Sequence, residues 1–152
     1  MDAIDRNILA ELQRDGRQTL TELAERVRLS VSPCHRRVRA LERAGVITGY
    51  HARLDPNALG LGFEALVFVT MREATRESIQ AFEAAVADIA NVVQAQRLFG
   101  DPDYLLRVVA RDLADYQHLY DERLATLTGV QRLNSTLVMR SIVEDRALPL
   151  SI

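Results

Sequence analysis

Residues 30–45 read Ser-Val-Ser-Pro-Cys-His-Arg-Arg-Val-Arg-Ala-Leu-Glu-Arg-Ala-Gly, and the rest of the chain is organised around them. The spacing predicts one helix. Ser32 is suited to cap its start, because a serine hydroxyl can accept a bond from an unpaired N–H of the first turn. Pro33 then occupies the first helical position, where its missing N–H costs nothing. Gly45 fits just beyond the end, where a left-handed residue closes the last turn. Between those limits Cys34, Val38 and Leu41 recur at i, i+4 and i+7 as one apolar stripe. His35, Arg36, Arg37, Arg39 and Arg43 take the other faces, with Glu42 the only acid. Such a helix can be anchored along its stripe while its cations lie against a polyanion. Taken alone it reads equally as an Arg-rich solvated helix, since basic faces without nucleic acid are common.

The residues before it favour the first reading. Asp2 to Asp15 has Ile4, Ile8, Leu9 and Leu12 on one helical face, with Asp2 and Asp5 at the positive end of the dipole. Asp15-Gly16 stops that helix. Thr19-Leu-Thr-Glu22 is a capping box that opens a second helix, with Leu20, Leu23, Ala24 and Val27 as its stripe, ending near Leu29. Helix, helix, short turn, basic helix is the helix-turn-helix order, in which the last helix enters the major groove of double-stranded DNA. His35, Arg36 and Arg39 are the expected base or phosphate contacts, with Ser30 and Ser32 on phosphate near the helix start. Arg37, four residues before Leu41, lies nearer the stripe. It either reaches phosphate or packs its stem against the first helix. The adjacent Cys34 and His35 have no partners at metal-ligand spacing, so Cys34 reads as a small core residue, and neither metal nor cofactor is called for.

After Gly45 the pattern changes. Val46–Arg53 is β-branched and aromatic, expected as a short strand or wing, and Asp55–Gly62 is the one dense Pro/Gly/Asn cluster, expected as a linker. Beyond it strands are expected at Phe63–Arg72, Asn91–Phe99, Tyr104–Ala110 and Val130–Val143. Helices are expected at Arg76–Ile89 and Asp112–Leu127, the latter with Leu113, Tyr116, Tyr120, Leu124 and Leu127 inward. This is βαβ twice, giving an α+β chain with a ferredoxin-like βαββαβ antiparallel sheet in its second part. In the last strand Leu133, Leu137 and Met139 alternate with Val130, Val138 and Ile142. A sheet apolar on both sides, with helices on one, wants a partner on the other, so a homodimer through the bare face is expected. The expected divisions are 1–53 for the DNA-binding domain, 54–62 for the linker and 63–152 for the second domain.

Charge follows the same division. The net charge of −2 argues against a nucleic-acid binder, but residues 1–53 carry +3 and residues 54–152 carry −5. DNA is therefore expected to touch only the first part. A lone cysteine allows no internal disulfide, the N-terminus carries no secretory pattern, and the longest apolar run, Ala65–Val69, is far short of a membrane span; a cytoplasmic protein is expected. No nucleophile motif, phosphate-binding glycine loop or ligand cluster points to catalysis.

Over nearly its whole length the chain resembles the Lrp/AsnC family of prokaryotic transcription factors. The resemblance rests on Asp5-Arg-Asn-Ile-Leu-Ala-Glu-Leu12, Asp15-Gly-Arg17, Glu22-Leu-Ala24, Leu29-Ser-Val-Ser32, Arg37-Val-Arg-Ala-Leu-Glu-Arg-Ala-Gly-Val-Ile47, Gly49-Tyr50 and Gly100-Asp-Pro-Asp-Tyr-Leu-Leu106. It implies a winged helix-turn-helix and an effector-binding, oligomerising domain. It also implies dimers that assemble into tetramers or octamers, and an effector, usually an amino acid, held where second domains of neighbouring dimers meet. On spacing alone Gly100-Asp-Pro-Asp103 is an ordinary turn. The resemblance makes Gly100, Asp101 and Asp103 effector contacts, the carboxylates receiving an ammonium group. Asn134 and Thr136, on one face of the last strand, would join them, with Ser135 on the other face. The family's aromatic before the second acid is replaced here by Pro102. Two other functions share the architecture: a sirohaem-decarboxylase-like enzyme, and an architectural DNA-binding protein without an effector.

Overall fold

The computed structural model describes residues 1–150, so residues 151 and 152 of the expected second domain lie outside it. Its described residues form two compact units, one of Met1–Arg53 together with residues 142–150, the other of Leu54–Ser141. The C-terminal segment groups with the first unit, whereas the sequence reading had it in the second.

In the first unit, α1 spans Ala3–Arg14, α2 Leu20–Arg26 and α3 Val31–Arg43. Reciprocal capping boxes open the first two, Asp2 with Asp5 and Thr19 with Glu22. Each pairs a side-chain acceptor with an orphan N–H of the first turn. α2 ends sooner than Leu29. Arg28 takes a left-handed φ of 56°, and the Leu29 N–H donates back to the Ala24 carbonyl. The next helix then begins at once, with Ser30 rather than Ser32 at the cap position and no capping bond from the Ser30 hydroxyl. Ser32 is inside the first turn, and Pro33 is still among the positions whose N–H would have no partner. At the far end Gly45 has a φ of 69°, and the Val46 N–H donates to Leu41. The apolar stripes meet as expected: Ile8, Leu9, Leu23, Ala24, Val27, Cys34, Val38 and Leu41 form one buried core.

Of the short strand or wing expected at 46–53, no strand is formed. The Val46 and Ile47 N–H groups both turn back to the Leu41 carbonyl. The segment runs as an irregular wing, with Ile47 packed on the core.

In the second unit β1 is Phe63–Met71, α4 Arg76–Ala87, β2 Val92–Arg97, β3 Tyr104–Ala110, α5 Leu113–Leu119 and β4 Val130–Leu137. The strands form one antiparallel sheet in the order β2-β3-β1-β4. That is the expected ferredoxin-like βαββαβ topology. α5 continues into a π-helical turn over Tyr120–Leu124, and Leu113 is exposed at its start rather than inward. β4 ends at Leu137, six residues short of the expected Val143.

One sheet face carries Ala65, Val67, Val69, Met71, Tyr104, Leu106, Val108 and Ala110 against Phe82, Val86, Ile89, Tyr116, Leu124 and Leu127 of the helical segments and their flanks. By strand alternation the opposite face carries Glu64, Leu66, Phe68 and Thr70 of β1 and Leu105, Arg107 and Val109 of β3. Its β4 row is polar: Thr136 is opposite Leu66, Asn134 opposite Phe68 and Arg132 opposite Thr70. A register shift at Thr70/Met71 puts Val130 opposite Met71 and, with Leu133, on the helix-covered core. The expected alternation of Val130 against Leu133 in β4 is therefore corrected. The apolar centre of the open face comes from β1 and β3.

Candidate nucleic-acid interface and ligand-binding site

α3 is held from behind by Cys34, Val38 and Leu41, all buried. Burial pushes the Cys34 thiol above its ordinary pKa, keeping it a neutral core group. Ser30, Ser32, His35, Arg36 and Arg39 are all exposed. Arg36 has no ion pair or hydrogen bond among the described residues. The Arg39 Nε donates to His35 Nε2 at 3.3 Å, and its Nη1 bonds Glu42 at 3.0 Å. Both contacts are on the exposed surface, where a phosphate can displace them at little cost.

Arg37 is different. Its Nη1 donates to Asp2 at 2.8 Å and to Asp5 at 2.7 Å. Of the two readings the sequence left open, these bonds favour the second, tying α3 to the first turn of α1. The Asp5 and Asp2 bonds raise its pKa further. Asp2 is lowered, first by the Asp5 N–H and then by Arg37 itself. The sequence left Arg37 between two readings, and Asp2 and Asp5, three apart on one face, were the signal for the second. Tyr50 of the wing donates its hydroxyl to Glu42 at 3.2 Å, and desolvation followed by that carboxylate raises its pKa. The wing is thereby pinned to the end of α3.

The expected ligand residues divide. Asp103 turns inward: its carboxylate accepts the Met71 N–H at 2.7 Å, and its N–H donates to the Val69 carbonyl. It shapes the loop between β2 and β3. Gly100 has a φ of 143°, a backbone that favours glycine. It lines a cavity of about 170 Å3 with Met71, Ile79, Leu98 and Tyr104. Asp101 is exposed and belongs with the open sheet face. Its Oδ1 accepts from Thr70 Oγ1 at 3.3 Å and lies 3.8 Å from Arg132 Nη2. Asn134 and Thr136 continue the Arg132 row on that face. Ser135 points the other way, its hydroxyl 2.6 Å from that of Tyr116. The sequence reading missed Thr70 and Arg132, whose placement follows only from the β1–β4 register. It also missed Phe99, a fully exposed aromatic on the loop where Pro102 replaced the expected one.

A helix-turn-helix with an exposed basic helix, joined to a ferredoxin-like unit, fits a DNA-binding regulator with a ligand domain. Residues 1–48 match the model of a winged helix-turn-helix DNA-binding domain, and residues 64–148 match that of the Lrp/AsnC ligand binding domain. The chain is 43% identical to a leucine-responsive regulatory protein of Rhizobium meliloti, over 93% of this chain and 91% of that one. It is 39% identical to a proline dehydrogenase transcriptional activator of Rhodobacter capsulatus, over 97% and 96%. A Neisseria meningitidis transcriptional regulator solved in complex with L-Met superposes with a TM-score of 0.94 at 38% identity, covering 99% of this chain and 97% of that one. The chain belongs to the Lrp/AsnC family of transcriptional regulators. It is an effector-responsive, DNA-binding transcriptional regulator.

Proposed function

We propose that this regulator binds DNA as a two-fold dimer and takes an amino acid as its effector. The observation that carries the DNA half is the solvent face of α3, where Ser30, Ser32, His35, Arg36 and Arg39 stand exposed over a buried stripe. Two such helices would meet half-sites about one helical turn, or a multiple, apart. The uncovered sheet face, with Leu66, Phe68 and Leu105 at its centre, supports dimerisation there, with dimers assembling further to tetramers or octamers. Residues 1–53 carry DNA binding and residues from 63 onward effector binding, in a cytoplasmic protein.

The L-Met complex of the Neisseria relative supports an amino acid as ligand. Asp101 and Arg132 offer opposite charges 3.8 Å apart to an ammonium and a carboxylate, with Asn134 and Thr136 beside them as neutral partners. Gly100 and Asp103 set the loop. Isothermal titration with the twenty amino acids tests this. One amino acid binds, the Asp101→Ala variant loses that binding, and DNA binding without effector stays. Wild-type affinity in Asp101→Ala would put the ligand elsewhere.

A further inference from the structure

The segment after β4 is not a loose end. Gln13, on the exposed side of α1, holds both backbone groups of one tail residue: the Leu148 N–H donates to Gln13 Oε1 at 2.6 Å, and Gln13 Nε2 donates to the Leu148 carbonyl at 3.2 Å. One carboxamide thereby replaces the neighbouring strand that an extended segment would otherwise pair with. Leu150 is half-buried against the helix-turn-helix core. Between α1 and the wing runs a groove of about 320 Å3, lined by Leu9, Leu12, Ile47 and Tyr50 and walled on one side by Leu148 and Leu150. Upstream, Arg53 Nη2 bonds Glu144 at 2.8 Å, with Asp145 3.8 Å from its Nε. Arg53 is also the last residue of the first unit before the chain crosses to the second.

We propose that residues 144–150 are a clamp that docks in the groove between α1 and the wing, giving the DNA-binding unit a second attachment and restricting its freedom. The chain crosses between the units at 53/54 and again at 141/142. A unit on one linker must give up its rotational freedom each time two copies land together on paired half-sites. A unit held at two points has lost much of it beforehand, so binding to paired half-sites gains while binding to one half-site does not. This consequence rests on the dimer reading above; the docking itself does not.

Two measurements on the full chain test it, with Gln13→Ala as one variant and a stop after Val143 as the other. Gln13 is exposed, so its truncation leaves the helical core intact. In hydrogen exchange read by mass spectrometry, wild-type amides of 145–150 should exchange at least about tenfold slower than those of Gln13→Ala. Equal, fast exchange in both overturns the clamp. In anisotropy titrations with a duplex selected from a random pool, both variants should lose about tenfold on the paired-site duplex and stay within about twofold on a single half-site. Equal losses on both duplexes, or no loss on either, overturn the positioning role. A wild type that binds both duplexes alike contradicts the dimer reading instead, and the exchange result alone then decides the clamp.

Discussion

Replacing Arg107 with leucine should weaken self-association far more than it weakens the folded subunit. Arg107 lies in β3 on the open sheet face, and its Nε and Nη2 hold the two oxygens of Glu64, each at 2.8 Å. The Arg107 bonds hold the Glu64 carboxyl below its ordinary pKa, against the opposing pull of desolvation. In a single chain these side chains are 36% and 20% exposed, so water can reach the carboxylate left behind. A pair so placed contributes about 0–1 kcal/mol. Covered by a second copy, the stranded carboxylate is sealed off, and the loss grows to about 3–5 kcal/mol. A two-fold dimer carries the change twice, about 6–10 kcal/mol, so at about 1.4 kcal/mol per factor of ten the dimer dissociation constant should rise at least roughly ten-thousand-fold. Sedimentation equilibrium over a wide concentration range reads that change, and urea unfolding of the monomer reads subunit stability. Replacing both residues with leucine should recover much of the dimer, because both charges of this pair are then gone. An Arg107→Leu protein that dimerises like wild type but unfolds more easily would refute the reasoning and take this face out of the interface.

Leu106 is wholly buried in β3, and Leu106→Ala should cost about 2–5 kcal/mol in urea unfolding. Thr19→Ala removes the hydroxyl cap of α2 and should cost about 1 kcal/mol of thermal stability. The Asp115 carboxyl is lowered to about 2, first by its hydrogen bond from the Arg111 side chain and then by the Arg111 N–H. Its folded value is below its unfolded one, so its contribution is present at neutral pH and fades as pH falls from about 4 through about 2. Thermal melts of wild type and Asp115→Asn across that window should converge toward its acid end.

Much of the fold was legible because local signals agreed with tertiary ones. The Thr19–Glu22 box, the stripe of α3 and the strand Tyr104–Ala110 needed only their own residues to be read. The failures share a cause: a partner that local sequence does not name. Ser30 took the cap position in place of Ser32 because Arg28 turns left-handed and ends α2 early. Proline fits any position of a first turn, so Pro33 did not fix which serine stands at its start. Val46–Arg53 has β-branched residues but no strand to pair with. β4 stops near Leu137 because β1, its partner, starts at Phe63; the Val138 N–H donates to Glu64, and the ladder ends there. The exposed face of α3 could be read from helical period alone. Thr70 and Arg132 beside Asp101 could not, because only the long-range pairing of β1 with β4 sets them opposite one another. Gln13 reads as an ordinary exposed residue of α1, and its role is visible only once the tail lies beside it.

The central claim is that the outer face of α3 reads DNA, and Arg36 tests it most directly. It is exposed, has no competing partner among the described residues, and makes no contribution to the core. Fluorescence-anisotropy titration of wild type and Arg36→Ala at one fixed salt concentration, on a duplex selected by the wild type, reads its contribution. The account predicts a loss of about 1–3 kcal/mol, roughly five- to a hundred-fold in affinity, with weaker discrimination against unrelated duplexes. Unchanged affinity and discrimination in the variant would contradict it.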